Sequence, residues 1–134
     1  MRAFIGGGLG AESEVLNTFK SELKIDYFDP DTLPNDFHSF KIAKVEWTSC
    51  EYCVYLISPL MRGFDQIVNV VDDSNKRPTK TVYCFLLEDN GGKFTEHQVK
   101  SLKAIGEIVK KNGAFWFESM ADVTEFLNKS GAET

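Results

Sequence analysis

The polar side chains best placed by spacing to do chemistry follow the apolar segment Cys53–Ser58. Gln66, Asn69 and Asp73 recur at i, i+3 and i+7, which puts them on one stripe of a helix otherwise rich in isoleucine and valine. Burying a polar side chain among apolar ones is costly unless it is paired. Two interpretations follow: Asn69 hydrogen-bonds a neighbouring loop, or the stripe faces a ligand pocket above a sheet.

A second candidate is the glycine-rich loop after the first apolar segment, Gly6-Gly7-Gly8-Leu9-Gly10-Ala11. Its spacing loosely satisfies the dinucleotide fingerprint, in which glycines let the backbone approach a phosphate. The same loop also suits any tight reversal of the chain, and 134 residues are too few for two mononucleotide halves. We therefore expect a sugar or phosphate ligand here rather than NAD or FAD. Asp29 comes before Pro30 and either ends the second strand as a turn or binds a ribose hydroxyl.

Cysteine and histidine chemistry is not favoured by the sequence. Cys50 and Cys53 form a C-x-x-C pair that opens a strand instead of a helix, and Cys84 stands alone, so we expect buried, reduced thiols. His38 and His97 are not spaced to complete a zinc site, so neither a metal nor an organic cofactor is predicted.

The net charge of −5 argues against broad nucleic-acid binding, which needs a basic surface. The N-terminus lacks the features of a signal peptide, and the apolar runs are too short to span a bilayer. These features predict a cytoplasmic protein with no membrane partner.

Strand and helix patterns alternate five times, which predicts one domain over residues 1–134 with a flavodoxin-like three-layer α/β/α sandwich and a five-stranded parallel sheet. The predicted strands are Ala3–Gly6, Lys24–Phe28, Cys53–Ser58, Lys80–Leu87 and Ala114–Phe117. The predicted helices are Glu12–Leu23, Asn35–Cys50, Phe64 to about Ser74, Thr95 to Asn112, and one that begins after Ser119. Most aromatic residues are expected in the core, most of the third helix is expected to be buried, and Ile108 is expected on the buried face of the fourth.

Four segments, KIDYFDP, CEYCVYLISPLMRG, VVDDSNKRPTKTVYCFL and FTEHQVKSLKAI, resemble the compact nucleoside 2-deoxyribosyltransferase-like proteins. The resemblance implies cleavage or transfer of the N-glycosidic bond of nucleosides or their monophosphates, without metal or organic cofactor. It also implies a nucleophilic glutamate on the third helix, after a motif close to P-x-M-x-G that Pro59, Met61 and Gly63 match. Asn69 occupies the position of that glutamate, and Asp65 or Asp73 are possible substitutes.

Taken with this resemblance, the sequence predicts a protein that binds a nucleoside or nucleotide as a pseudoenzyme. The alternatives are an active N-glycosidase or deoxyribosyltransferase that uses another carboxylate, and an interaction module with a vestigial pocket. We expect a homo-oligomer, as in many members of the family. The predicted ligand-binding residues are Gly6, Gly7, Gly8, Asp29, Ser58, Pro59, Met61, Gly63 and Asn69.

Overall fold

Five parallel strands form the centre of the structure, a computed structural model that describes residues 1–7 and 13–133. The sheet strands are β1 (Arg2–Gly6), β2 (Asp26–Phe28), β3 (Tyr52–Ile57), β4 (Thr81–Phe85) and β7 (Phe115–Trp116), in the order β2-β1-β3-β4-β7. The helices are α1 (Glu14–Glu22), α2 (Phe37–Ser49), α3 (Asp65–Lys76), α4 (Glu96–Lys111) and α5 (Met120–Ala132). The chain therefore has the predicted flavodoxin-like three-layer α/β/α fold.

The two faces of the sheet pack against different helices because side chains alternate along a strand. On β3, Val54 and Leu56 face the core formed with α1 and α5. Cys53, Tyr55 and Ile57 face the opposite core, which includes residues of α3 and α4. Each of these five side chains is at most 4% exposed, as expected for a strand covered on both faces.

Short polar motifs start α1 and α4. The Ser13 hydroxyl accepts a hydrogen bond from the Leu16 amide and caps α1. Thr95 and Gln98 form a complete capping box at the start of α4, as predicted. These caps satisfy amide groups that have no partner within the helix.

A two-stranded hairpin that the sequence analysis did not predict follows the fourth strand. β4 ends at Phe85, and β5 (Glu88–Asp89) pairs with β6 (Gly92–Lys93) in an antiparallel ladder. The turn between them is Asn90-Gly91, with φ values of 47° and 86°. This left-handed pair is the backbone geometry that tight hairpin turns require.

Burial of several apolar side chains differs from the prediction. Phe37 and Phe40 on α2 are 72% and 67% exposed, and Val68 on α3 is 66% exposed. Ile108 on α4 is also exposed, whereas Val109 beside it is buried. α2 carries apolar residues on both of its faces, so helical spacing alone did not tell which face meets the sheet. None of the helices in the described part of the chain is long and apolar enough to cross a membrane.

Candidate functional site: a cleft between α2 and α3

A cleft of about 380 Å³ lies between α2 and α3 over strands β1 and β3. It lies where the strand order reverses, since the chain passes from β1 to β2 on one side and reaches β3 on the other. Ligands of open α/β sheets bind at such a switch point. The cleft is lined by Phe4, Gly6, Gly7, Pro30, Asp31, Trp47, Tyr55, Gln66, Asn69, Asp72 and Asp73.

The polar stripe of α3 forms one wall of this cleft. Gln66, Asn69 and Asp73 all line it, so the interpretation in which the stripe faces a pocket is the one that the structure supports. α3 follows β3 and runs antiparallel to the strands of the sheet. Gln66, near its start, therefore lies nearest the carboxyl ends of the strands, and Asp73 lies two helical turns closer to their amino ends. The cleft therefore extends along the helix and is not confined to the rim of the sheet.

Two glycines at the end of β1 shape the upper part of the cleft. A Cβ atom on Gly6 would lie 3.4 Å from the Tyr55 ring and 3.5 Å from the Gln66 side-chain oxygen. Gly7 has φ +110°, and a Cβ atom there would lie 2.1 Å from the carbonyl oxygen of Leu56. Only glycine fits position 7, because both the backbone angle and the neighbouring strand exclude a side chain.

At the bottom of the cleft, three donors converge on one carboxylate oxygen. Oδ2 of Asp73 accepts hydrogen bonds from the Tyr55 hydroxyl, from Nε1 of Trp47 at 3.2 Å and from Nη2 of Arg77 at 3.1 Å. Asp73 is 3% exposed, so its carboxylate is desolvated as well as fixed in orientation. Burial and the hydrogen bond to Asp73 raise the pKa of Tyr55 well above its ordinary value, so the phenol keeps its proton and donates.

Arg77 stands behind this carboxylate and joins it to the end of α2. Its guanidinium donates to the Trp47 carbonyl oxygen at 2.9 Å and to the Cys53 sulfur at 3.1 Å. Burial raises the pKa of the Cys53 thiol to about 11, although Arg77 opposes the shift. All three cysteines are buried and free, as predicted, and the contact with Arg77 does not convert Cys53 into a thiolate at neutral pH.

Three of the predicted ligand-binding residues, Gly6, Gly7 and Asn69, lie together in this cleft. Pro59 and Met61 instead line a separate cavity of about 330 Å³, with Phe64 and Phe94 in its wall. The loop after β3 therefore turns away from the α2–α3 cleft.

Asp29 and Ser58 are buried in hydrogen bonds of their own. Asp29 forms an ion pair with Lys20 and accepts a hydrogen bond from the Asp31 amide, so it caps the short 3-10 helix Pro30–Thr32. Ser58 donates to Asp89 at 3.1 Å, which joins β3 to the hairpin. Neither side chain lines the cleft.

The remaining predicted residues lie elsewhere. Asp65 begins α3 and is exposed, and it does not line the cleft; neither does the exposed Gly63. Gly8 lies outside the described residues. Of the two substitute carboxylates, Asp73 alone shares the cleft with Asn69.

Sequence reasoning missed Asp31, Trp47 and Asp72 as lining residues. Asp72 and Asp73 are adjacent, yet only Asp73 follows the spacing of the polar stripe. The spacing of Trp47 suggested a core position, and the structure leaves it partly buried at the cleft. The i, i+4 spacing of Asp72 with Lys76 and of Asp73 with Arg77 was readable in the sequence, but it does not tell which carboxylate lines the cleft.

Comparisons of the chain with protein-family models, curated proteins and solved structures find no match. Within residues 1–7 and 13–133, no three His, Cys, Asp or Glu side chains are arranged to hold a metal ion. The site is a cleft with aromatic walls, two side-chain amides and three carboxylates.

Proposed function

We propose that the chain binds a nucleoside or nucleotide in the α2–α3 cleft and leaves the N-glycosidic bond intact. The observation that carries the proposal is that Asn69 lines the cleft beside Gly6 and Gly7. In the family that the sequence resembles, a nucleophilic glutamate stands at this position. A carboxamide is neutral and a poor nucleophile, so Asn69 can hydrogen-bond a ligand but cannot attack its anomeric carbon.

The lining supplies groups suited to both halves of a nucleoside. Phe4, Trp47 and Tyr55 offer aromatic surface to a base, and the Gln66 and Asn69 amides offer donors and acceptors to a sugar. The volume of about 380 Å³ falls within the range of ~300–1,000 Å³ usual for small-molecule pockets.

Titration calorimetry with nucleosides, their 5′-monophosphates and NAD tests the proposal, and tryptophan fluorescence, to which Trp47 in the cleft contributes, is a second readout. Asn69→Ala removes a side chain from the cleft, and we expect it to weaken binding by about fivefold to tenfold, the effect of one hydrogen bond. Asn75→Ala is the matched control, because Asn75 is exposed on the same helix and does not line the cleft. Absence of binding across the panel contradicts the proposal, as does an equal effect of the two substitutions.

A second candidate function is an N-glycosidase or deoxyribosyltransferase that uses Asp73. The observation favouring it is that Asp73 lines the cleft one helical turn from Asn69. All hydrogen bonds described for its side chain reach Oδ2, which leaves Oδ1 without a described donor. A carboxylate oxygen of this kind stabilises or traps an oxocarbenium-like centre in retaining glycosidases.

Release of free base, followed by chromatography, distinguishes the two functions. The enzyme hypothesis expects release by the native chain, loss of release in Asp73→Asn, and little change in Asp65→Asn, since Asp65 lies outside the cleft. Thermal unfolding of Asp73→Asn must show a folded protein for the comparison to count. No release by the native chain supports the binding function instead.

We also propose that two copies of the chain associate through α2 and α3. Phe37 and Phe40 on α2 and Val68 on α3, two helices that border the cleft, are each 66–72% exposed. Large apolar side chains left in contact with water on neighbouring helices favour a protein–protein contact. Light scattering of Phe40→Ser should show a smaller species than the native chain, while Leu87→Ser, a change at another exposed apolar residue, should not. A monomeric native chain contradicts this proposal.

A cytoplasmic location is a further part of the proposal. The three cysteines are buried and free, which is the state that thiols keep in reducing compartments. Cell fractionation of the tagged chain tests it.

A further inference from the structure

The charge of the cleft bears on which ligands it accepts. Three carboxylates, Asp31, Asp72 and Asp73, line it, and no lysine or arginine does so among the described residues. Residues 8–12 are Gly, Leu, Gly, Ala and Glu, so they contribute no cationic side chain either. A charged substituent on a bound ligand would therefore meet carboxylates.

Two cations pair with lining carboxylates from outside the cleft. Lys76 pairs with Asp72 at 3.0 Å, and Arg77 pairs with Asp73 at 3.1 Å. Arg77 is also held by the Trp47 carbonyl oxygen and by the Trp47 ring. Neither cation lines the cleft, so neither is placed to neutralise a phosphate within it.

The backbone of α3 adds to the same field. Asp72 and Asp73 lie near the carboxyl end of the helix, where the helix dipole is negative. The amino end of α3, where an anion would be favoured, already carries the Asp65 carboxylate in its first turn. Asp73 is in addition fixed by three donors on Oδ2, which suits it to accept a hydrogen bond from a hydroxyl or ammonium group.

We propose that the cleft selects nucleosides by charge, so that its ligand is an unphosphorylated nucleoside, neutral or cationic, and 5′-monophosphates are rejected. The inference rests on the proposed function, because it specifies the ligand of the same site. It follows from charge complementarity, since like charges brought together in a binding site weaken binding strongly.

A series of ligands that differ only in the group at the 5′ position of the sugar tests the inference. The probes are thymidine and adenosine, their 5′-monophosphates, and their 5′-amino-5′-deoxy analogues, which carry an ammonium group. We expect the amino analogue to bind most tightly and the monophosphate at least about tenfold more weakly than the amino analogue at low salt. The difference should shrink at high salt, because screening weakens interactions between exposed charges.

Charge variants assign the effect to the cleft. The double substitution Asp31→Asn with Asp72→Asn removes two carboxylates from exposed positions of the lining, and we expect it to reduce the difference between the probes. The matched control is Asp26→Asn with Glu107→Gln, which changes the net charge equally at exposed positions that do not line the cleft. The control should bind all three probes as the native chain does.

Two results overturn the inference in distinguishable ways. Monophosphates that bind as tightly as the amino analogues contradict charge selection and leave the proposed function intact. If no member of the series binds, the proposed function fails and the inference fails with it.

Discussion

The guanidinium carbon of Arg77 lies 3.7 Å from the centroid of the Trp47 ring, while Nη1 of the same side chain donates to the Trp47 carbonyl oxygen. A third contact, from Nη2 to Asp73, completes the arrangement. One arginine thus joins the carboxyl ends of α2 and α3 beneath the cleft. Because it does so by stacking and by a planar set of donors, a lysine cannot reproduce it.

Loss of this arginine should destabilise the fold. Arg77→Met leaves the Asp73 carboxylate, 3% exposed, without its cation, and we expect the free energy of unfolding to fall by about 3 kcal/mol. Arg77→Lys should recover only part of this loss. Urea denaturation measures both, and Lys76→Met is the control, because Lys76 pairs with Asp72 in an exposed i, i+4 pair. Equal midpoints for the native chain and Arg77→Met contradict the prediction.

Gly7→Ala should be among the most damaging single substitutions in the chain. The new Cβ would lie 2.1 Å from the Leu56 carbonyl oxygen, so β1 or β3 would have to move. Gly91→Ala is the matched control, because φ at Gly91 is also positive and a Cβ atom there meets nothing within 4 Å. We expect a cost of about 1 kcal/mol at position 91 from backbone strain alone, and several times more at position 7. Thermal unfolding measures the stability of both variants. Equal losses of stability would show that the contact between the new Cβ atom at position 7 and the Leu56 carbonyl oxygen is relieved at little cost.

The buried thiols should make the fold less stable in alkali. Burial raises the pKa of Cys53 from 9.0 to about 11 and that of Cys84 to about 12. Above about pH 9 the unfolded chain releases thiol protons that the folded chain retains, so the free energy of unfolding falls as pH rises. The expected slope is at most about 1.4 kcal/mol per pH unit for each thiol.

Urea denaturation at several pH values under reducing conditions measures this slope. Cys84→Ala removes the thiol that lies fully buried in β4 and should give a shallower decline between about pH 9 and pH 11. If the free energy of unfolding falls with pH equally steeply in the native chain and in Cys84→Ala, Cys84 does not contribute to the alkaline loss of stability.

Asn69→Glu should introduce glycosidase activity into an inert parent. The substitution places a carboxylate in the cleft at the position that the family resemblance assigns to the nucleophile. We expect release of free base from a deoxynucleoside by Asn69→Glu and none by Asn69→Gln, which has the same length but no charge. The assay is chromatography of the products. Activity in Asn69→Gln would point to another group as the nucleophile.

The sequence predicted the parts of the site that depend on local periodicity. The stripe of Gln66, Asn69 and Asp73 follows from helical spacing, and the buried strands β3 and β4 follow from continuous apolar runs. The end of β4 was predicted two residues too late because Leu86 and Leu87 extend its apolar run. The hairpin β5–β6 was missed because its strands have only two residues each and no apolar alternation, although Asn90-Gly91 is a strong turn signal.

Contacts between distant segments explain the rest. Trp47 and Arg77 are 30 residues apart, and only the packing of α2 beside α3 brings them together at Asp73. The direction of the loop after β3 was likewise set by the tertiary fold, because Ser58 hydrogen-bonds the hairpin at Asp89, and Pro59 and Met61 therefore lie in a different cavity.

The two outermost strands of the sheet, β2 and β7, contain three and two residues. Strands this short present too few free amide and carbonyl groups to recruit another chain into a continuous ladder. The edges of the central sheet therefore offer crowded copies of this protein little template for fibril-like stacking.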